Sequence, residues 1–364
     1  MQKCPYCDFN SHGLKQTIPE SEYIGHLLAD LQNDAKLIAG RPVNTIFIGG
    51  GTPSLLSAEA MQKLLVGVAQ RVNLSADAEI TMEANPGTVE SEKFNGFASA
   101  GVNRISIGVQ SFQQDKLIKL GRIHDGQQAA NAAQYAKQAK LNSFNLDIMH
   151  GLPNQSIEQA LSDLQRAVGQ KPPHLSWYQL TIEPNTQFHS KPPTLPDDDV
   201  LWDIQEKGQA LLEQSGYQQY EISAYSLPDH QCQHNLNYWR FGDYLGIGCG
   251  AHGKVTDAKT QRVLRTEKVK HPRGYMDITK PYLYKQWQVD EQDLPFEFFM
   301  NRMRLMEPCP KADFEQLTGT ILTKQTANNI EQAIDKGLLT QTQQHWQLTT
   351  LGKRYLNTLL ETLV

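Results

Sequence analysis

The sequence predicts an α/β protein, a partial (β/α) barrel followed by a small, mostly helical domain with a winged-helix-like pattern. Two observations predict this architecture. Short apolar segments with strand character alternate with segments of helical apolar spacing, which favours a parallel sheet with right-handed crossovers. Polar and glycine-rich residues fall where the strands end, and this placement favours a barrel over an open doubly wound sheet.

The individual elements follow from apolar periodicity and from capping residues. Apolar residues at helical spacing predict a first helix over residues 20–39. Five buried strands are predicted next, over residues 44–48, 79–82, 103–109, 144–149 and 175–182. Helices are predicted between and after them, beginning near Ser57, near Thr88 (ending at Gly101), at Gly126, at Ser156 with Gln159 at capping-box spacing, and at Val200 (closed by Gly216).

The regular alternation stops at a proline-rich, acidic stretch over residues 184–199, which we predict to be a surface excursion. The composition becomes polar again around residues 280–295, where we place a domain boundary. The sequence thus predicts a barrel core over residues 1–290, with a substrate-facing elaboration at about 184–290, and a C-terminal domain over residues 291–364.

Bulk composition narrows the class of protein. The 364 residues are 39% hydrophobic and 20% charged, with a net charge of −5. No apolar run reaches the roughly 18 residues that a membrane helix needs, and no basic block indicates nucleic acid as a partner. Five cysteines in a chain of this length do not make a disulfide framework. We therefore expect a soluble, cytoplasmic protein.

A CxxC pair, Cys4 and Cys7, lies at the very start of the chain. Two thiolates at this spacing fit a zinc half-site, an iron–sulfur half-site or a thioredoxin-like redox dithiol. A second CxxC would favour zinc, but Cys232, Cys249 and Cys309 are scattered singly. The pair alone leaves all three kinds of site open.

Single polar residues mark the ends of the predicted strands. The GGGTP segment at 49–53 is neither a phosphate loop nor a dinucleotide fingerprint, yet it offers bare backbone to which a ligand can come close. Glu83, Gln110, Arg122 and Asp147 lie at or near other strand ends. Together on one rim, they have the chemistry to hold a zwitterionic, ribose-bearing molecule.

Six segments in order, CPYCDF, GGGTP, EANP, GVQSF, GRIHD and DIMHGLP, resemble the radical S-adenosylmethionine enzymes and especially their HemN-like branch. The resemblance runs from Cys4 to the C-terminus. It implies a 4Fe–4S cluster held by a CxxxCxxC motif, with S-adenosylmethionine bound at the open iron. Reductive cleavage of that molecule yields a 5′-deoxyadenosyl radical, so the cofactor supplies the chemistry and the protein positions it.

The resemblance also assigns roles by position. Cys4 and Cys7 would be cluster ligands. The remaining motif positions would contact S-adenosylmethionine, with Gly50, Gly51 and Thr52 at its methionine end, Arg122 at its carboxylate, and Glu83, Gln110 and Asp147 at its amino-acid and ribose portions.

One departure from the family pattern lies at the N-terminus. The motif requires a cysteine four positions before Cys4, just ahead of Met1, and the family's first barrel strand comes earlier still. Close relatives read Cys-Val-Gln-Lys-Cys here, so Met1 stands where valine is expected. We expect an internal GUG start and a natural product that extends upstream, since two thiolates alone would hold a 4Fe–4S cluster poorly.

A second departure separates two functions within the branch. Oxygen-independent coproporphyrinogen III dehydrogenases carry one more cysteine two positions after the motif, where this chain has Phe9. The sequence is more similar to the heme chaperones of the branch. The dehydrogenase, which decarboxylates porphyrinogen propionates oxidatively, is the alternative, and a zinc-dependent scaffold built on the CxxC pair is a third class.

The segment His234-Asn235-Leu236-Asn237-Tyr238 supports the chaperone reading, because it matches an HNxxY motif associated with heme binding. The resemblance implies that His234 ligates heme, with Asn235 and Tyr238 in the same motif. Cys232 and His230 are alternative ligands. The resemblance further implies delivery of heme to an acceptor such as a respiratory, membrane-associated hemoprotein. It does not identify the electron donor or decide whether the protein forms a homodimer.

Overall fold

The computed structural model describes residues 3–12, 19–88 and 90–363, which form two compact units. The first unit comprises Met1–Ile24, Pro42–Gln219 and Ser223–Gln231. The second comprises Gly25–Arg41, Tyr220–Ile222 and Cys232–Val364.

A mixed sheet organises the first unit. Its strands are β1 (Val43–Ile48), β2 (Leu74–Ala84), β3 (Arg104–Gln110), β4 (Ser143–His150), β5 (His174–Gln179), β6 (Gln218–Glu221) and β7 (Ala224–Ser226). Within the described residues their order is β1-β2-β3-β4-β5-β7-β6. Strands β1 to β5 are parallel and β7 is antiparallel to β5. The predicted partial barrel is confirmed.

Helices connect the strands as the alternation predicted. They are α1 (Glu20–Asp34), α2 (Ala58–Ala69), α3 (Ser91–Ala100), α4 (Gln114–Lys119), α5 (Gly126–Gln138), α6 (Ile157–Gly169), α7 (Gln187–Ser190) and α8 (Asp198–Gln214), with 3₁₀ turns at Ala35–Ile38, Pro53–Leu55 and Pro86–Thr88. The predicted capping box of Ser156 and Gln159 forms at the start of α6. Gly101 ends α3 at a φ of 112°, which favours glycine.

Two strand boundaries differ from the prediction by three residues or more. β2 begins at Leu74 rather than Glu79, because Leu74 already pairs with Val43 of β1. The register then shifts before Glu79 pairs with Thr45, and Ala76 and Asp77 between them are exposed. No apolar pattern marks such a segment. β5 ends at Gln179 rather than Ile182, where the chain turns into the proline-rich stretch.

Trp177 on β5 is the largest fully buried side chain of the first unit. Its ring packs 4.4 Å from the ring of His150 and 6.3 Å from that of Tyr225. On α8, Gly208 faces the same indole so closely that a Cβ atom there would lie 1.9 Å from Trp177 Cη2. The absence of a side chain at Gly208 therefore lets α8 pack on the sheet.

The second unit, to which Gly25–Arg41 and Tyr220–Ile222 also belong, contains the remaining elements. They are α9 (Gln233–Trp239), β8 (His252–Thr256), β9 (Val263–Lys268), α10 (Pro272–Tyr275), β10 (Leu283–Gln288), α11 (Leu294–Arg302), β11 (Cys309–Pro310), α12 (Lys311–Thr318), α13 (Lys324–Asp335), β12 (Leu339–Gln341), β13 (His345–Leu348), α14 (Thr350–Arg354) and α15 (Leu356–Thr362). Sheets β10-β9-β8 and β11-β13-β12 are antiparallel.

Aromatic packing forms the core of the C-terminal helices, as in the edge-to-face contact of Phe299 with Trp346, whose ring centroids are 5.5 Å apart. Phe298 and Phe314 extend this cluster with a similar T-shaped contact. Among the described residues, no helix combines the length and apolar character needed to cross a membrane.

Replacing Gly208 with alanine is expected to destabilise the protein by about 1–3 kcal/mol, because the new methyl group collides with a rigid, fully packed indole. This cost exceeds the roughly 1 kcal/mol that alanine gains over glycine in a helix. Gly169→Ala, at an exposed position where a Cβ meets nothing within 4 Å, is the control. Urea unfolding of both variants measures the difference, and equal stability would contradict the packing described.

Candidate functional site

The loop that carries Cys4 and Cys7 is a tight turn in which the Cys7 amide donates to the Cys4 carbonyl at 3.1 Å. Gly121 packs against this turn at Pro5. This glycine has a φ of 66°, and a Cβ atom there would lie 2.7 Å from Pro5 Cδ. The Pro5 carbonyl in turn accepts the Phe188 amide at 2.9 Å. The two half-buried thiols are thus held on a fixed platform.

The predicted surface excursion contributes to this platform. Phe188, on the short helix α7, is buried and packs its ring 6.4 Å from that of Tyr6 between the two cysteines. A phenylalanine in a proline-rich stretch gives no sequence signal for such a contact, so only the structure identifies it.

Arg122 lies beside the cysteine loop. Its Nη1 is 3.9 Å from Cys4 Sγ, and its Nη2 donates to the Gly108 carbonyl at 2.6 Å. Gly108 permits this approach, since a Cβ atom there would stand 3.3 Å from Nη2. Within the described part of the chain the buried Nε of Arg122 has no hydrogen-bond partner. A guanidinium with an unused donor is suited to an anionic ligand.

The glycine segment after β1 meets Glu83 at the end of β2. The Gly50 amide, at a φ of 94°, donates to Glu83 Oε2 at 3.1 Å. A Cβ atom at Gly49 would lie 2.8 Å from the carboxylate carbon of Glu83. Burial, and then the charge of Asp147, raise the pKa of Glu83 to about 7, although the Gly50 amide acts in the opposite direction.

The next two residues of the segment, Gly51 and Thr52, differ in their exposure. Gly51 is exposed, and a Cβ atom there would meet nothing within 4 Å. Thr52 is half-buried and begins the 3₁₀ turn at Pro53–Leu55 without using its side chain as a cap.

Gln110 ends β3 in a left-handed conformation with a φ of 67°, which is strained for a residue other than glycine. The hydroxyl of Tyr178 on β5 donates to its Oε1 at 2.9 Å and holds the side chain in place. Burial raises the pKa of Tyr178 well above its usual range, as do the neighbouring Asp147 and Tyr6. Sequence reasoning missed Tyr178, although its position at the end of the fifth strand was an available signal.

Asp147 on β4 is held from within the barrel. Its Oδ1 accepts from Asn145 Nδ2 at 2.7 Å, and its Oδ2 accepts from Ser106 Oγ at 3.1 Å. Burial raises the pKa of this carboxyl, whereas the hydrogen bonds from Asn145 and Ser106 act to lower it. The structure therefore brings Cys4, Cys7, Glu83, Gln110, Arg122 and Asp147 to one edge of the sheet.

The HNxxY residues form a separate group in the second unit. His234 and Tyr238 lie one turn apart on α9 and are half-buried, as is Asn235. The Tyr238 ring packs 5.0 Å from that of Tyr244. Cys232 precedes the helix and is fully buried, which disfavours it as a ligand.

The residues at the cysteine loop offer two thiols to a metal centre. Across residues 3–12, 19–88 and 90–363, no three His, Cys, Asp or Glu side chains cluster closely enough to hold a metal ion. Two thiols are only part of the coordination that a metal centre needs, and Nη1 of Arg122 lies 3.9 Å from Cys4 Sγ, where it can balance the charge of a thiolate.

The fold and this edge of the sheet define a radical S-adenosylmethionine protein. Residues 1–167 match the family model of the radical SAM superfamily, and residues 289–355 match that of the HemN C-terminal domain. The solved structure of coproporphyrinogen III oxidase (HemN) from Escherichia coli has the same fold, with a TM-score of 0.83, 22% identity, and coverage of 100% of this chain and 87% of that one.

Full-length relatives narrow the class further. The chain is 61% identical over 361 residues to heme chaperone HemW of Escherichia coli K12, covering 99% of this chain and 94% of that protein. It is 55% identical over 365 residues to heme chaperone HemW of Haemophilus influenzae, with the same coverage. The chain belongs to the HemW family of radical SAM proteins.

Replacing Glu83 with glutamine should change how stability depends on pH. Because the pKa of Glu83 is about 7 in the folded protein and near 4.5 when exposed, the wild type loses stability as pH rises between those values. The variant lacks this loss, so its stability relative to the wild type should increase from pH 5 to pH 8. Urea unfolding without added cofactors measures it, and a difference that stays constant with pH would contradict the burial of this charge.

Proposed function

We propose that this protein is a heme chaperone that binds a 4Fe–4S cluster, S-adenosylmethionine and heme, and transfers heme to an acceptor hemoprotein. The observation that carries the proposal is the HNxxY face of α9 in a chain 61% identical to a protein named heme chaperone HemW. The position of Phe9, where the dehydrogenases have a cysteine, supports the same function over porphyrinogen decarboxylation.

Cys4 and Cys7 would supply two thiolate ligands to the cluster. The tight turn between them and the guanidinium of Arg122, 3.9 Å from Cys4 Sγ, support this role. When bound, the cluster and S-adenosylmethionine supply one-electron chemistry. The residues of this chain bind and orient the two groups.

The zwitterionic end of S-adenosylmethionine would meet opposite charges at the edge of the sheet. Arg122, with its unused Nε donor, would pair with the carboxylate, and Glu83 would accept the ammonium group. Gly50 and Gly51 would offer bare backbone to the methionine end, and Thr52 would contact the same end. Gln110 and Asp147 would contact the ribose and amino-acid portions.

His234 would be the axial ligand of heme through its neutral imidazole. Asn235 and Tyr238 share its helix, and the packing of Tyr238 on Tyr244 gives that face an aromatic wall suited to a porphyrin plane.

The setting of the proposed function is the cytoplasm, where five free cysteines remain reduced. The acceptor would be a respiratory, membrane-associated hemoprotein. In this proposal the barrel core over residues 1–290 carries the cluster and S-adenosylmethionine, and its elaboration at 184–290 faces heme.

Replacing Cys4 or Cys7 with serine should lower the iron bound per chain severalfold after anaerobic reconstitution with iron and sulfide, because each variant removes one thiolate ligand. Iron analysis and the thiolate-to-iron absorbance measure it. Cys309→Ser is the matched control, since that buried thiol accepts from Arg302 Nε and serine keeps an acceptor there. If the unsubstituted protein binds iron and all variants bind the same amount, ligation by the CxxC pair is contradicted.

Replacing His234 with alanine should weaken heme binding roughly tenfold or more and abolish the Soret shift of a histidine-ligated heme, because the axial ligand is lost. Heme titration followed by absorbance measures it, and His230→Ala is the control. If heme binding is lost in His230→Ala but not in His234→Ala, the axial ligand is His230 and not His234. Formation of protoporphyrinogen from coproporphyrinogen III by the reduced, reconstituted protein would instead favour the dehydrogenase.

A further inference from the structure

A buried row of polar side chains crosses the sheet at the level of Asn145, two residues before Asp147 on β4. Ser106 on β3 pairs in register with Asn145 on β4, and Asn145 pairs with His174 on β5. Parallel partners in register project to the same face of a sheet. These three side chains are 7%, 1% and 0% exposed, so their hydrogen bonds form away from bulk water.

Asn145 is the centre of this row. Its Nδ2 donates to Asp147 Oδ1 and to Ser106 Oγ, each at 2.7 Å. Its Oδ1 accepts from His174 Nδ1 at 2.7 Å and from Ser176 Oγ at 3.2 Å. Both amide protons and both lone pairs are therefore used, which is the full capacity of the side chain.

This pattern allows only one arrangement of the amide. If the side-chain amide of Asn145 were flipped, its carbonyl oxygen would face the Asp147 carboxylate. Neither amide proton could then donate to that carboxylate, and its charge would lack this hydrogen bond. The arrangement requires a proton on Nδ1 of His174. Burial, with the charge of Arg104 nearby, lowers the pKa of His174 well below its usual range, so the imidazole is neutral with that proton in place.

We propose that Asn145 is a positioning residue, which holds the Asp147 carboxylate charged and oriented toward the ligand and is itself held by His174 and Ser106. The proposal rests on the proposed function, in which Asp147 contacts S-adenosylmethionine. Asn145 donates to Oδ1 of Asp147 and Ser106 donates to Oδ2, so each carboxylate oxygen is held by one hydrogen bond. Asn145 acts only through Asp147.

The charged and titratable groups that face Asp147 are Glu83 on β2, Arg104 on β3 and Tyr178 on β5. Removing the Asn145 amide takes away a hydrogen bond that favours the charged carboxylate. The carboxylate should then hold its proton to higher pH, and binding that needs the charge should fail first at low pH.

The test measures binding of S-adenosylhomocysteine to the reconstituted protein by calorimetry between pH 6 and pH 8.5. Asn145→Leu should weaken binding about tenfold at pH 7, and the ratio to wild type should shrink as pH rises. The matched control is Ser143→Ala, two residues earlier on β4, whose buried Oγ has no partner in the described part of the chain. It should bind as the wild type does.

A double-mutant cycle distinguishes the positioning role of Asn145 from the proposed contact between Asp147 and S-adenosylmethionine. In an Asp147→Asn background, Asn145→Leu should add no further loss, because the residue acts through that carboxylate. Additive losses, or a ratio independent of pH, would overturn the positioning role. Full binding by Asp147→Asn alone would instead overturn the proposed contact with S-adenosylmethionine. Thermal unfolding checks that each variant is folded. If Asn145→Leu does not fold, Ser106→Ala replaces it, because this variant removes the other donor to Asp147. Ser106→Ala should weaken binding less, with the same pH dependence.

Discussion

The parallel register of β2 to β5 is the constraint on which the site depends. It places Gly108 beside Asp147 and extends each strand to a common edge, so that Glu83, Gln110 and Tyr178 meet although they lie far apart in the chain. A shift of one residue in any strand would turn its polar side chain to the opposite face. The polar edge and the apolar packing behind it are therefore specified by the same alternation.

Glycines, which have no side chain, allow the cysteine loop and Arg122 to come close to this edge. Gly121 accommodates Pro5 and thereby seats the cysteine loop, while Gly108 leaves room for Arg122 to reach a main-chain carbonyl. The strained backbone of Gln110 is retained because Tyr178 and the strand hold it. Such strain costs about 1–3 kcal/mol and is typical of residues that a ligand site requires.

The two carboxylates at the edge are treated differently by their surroundings. Glu83 receives one backbone amide, and burial raises its pKa to about 7. Burial raises the pKa of Asp147 as well, and the hydrogen bonds from Asn145 and Ser106 act in the opposite direction because they stabilise the charged carboxylate. The two carboxyls therefore differ in the number of hydrogen bonds that stabilise their charged form.

The sequence by itself determined the fold class, the helix caps and the residues that carry recognisable chemistry, such as Cys4 and His234. These features are local, since periodicity, capping boxes and short motifs need only neighbouring residues. Only the tertiary structure decided that Phe188 would support the cysteine loop and that Asn145 would hold Asp147. Phenylalanine and asparagine are ordinary residues in a sequence, and their roles arise from partners that the folded sheet brings within hydrogen-bonding or packing distance.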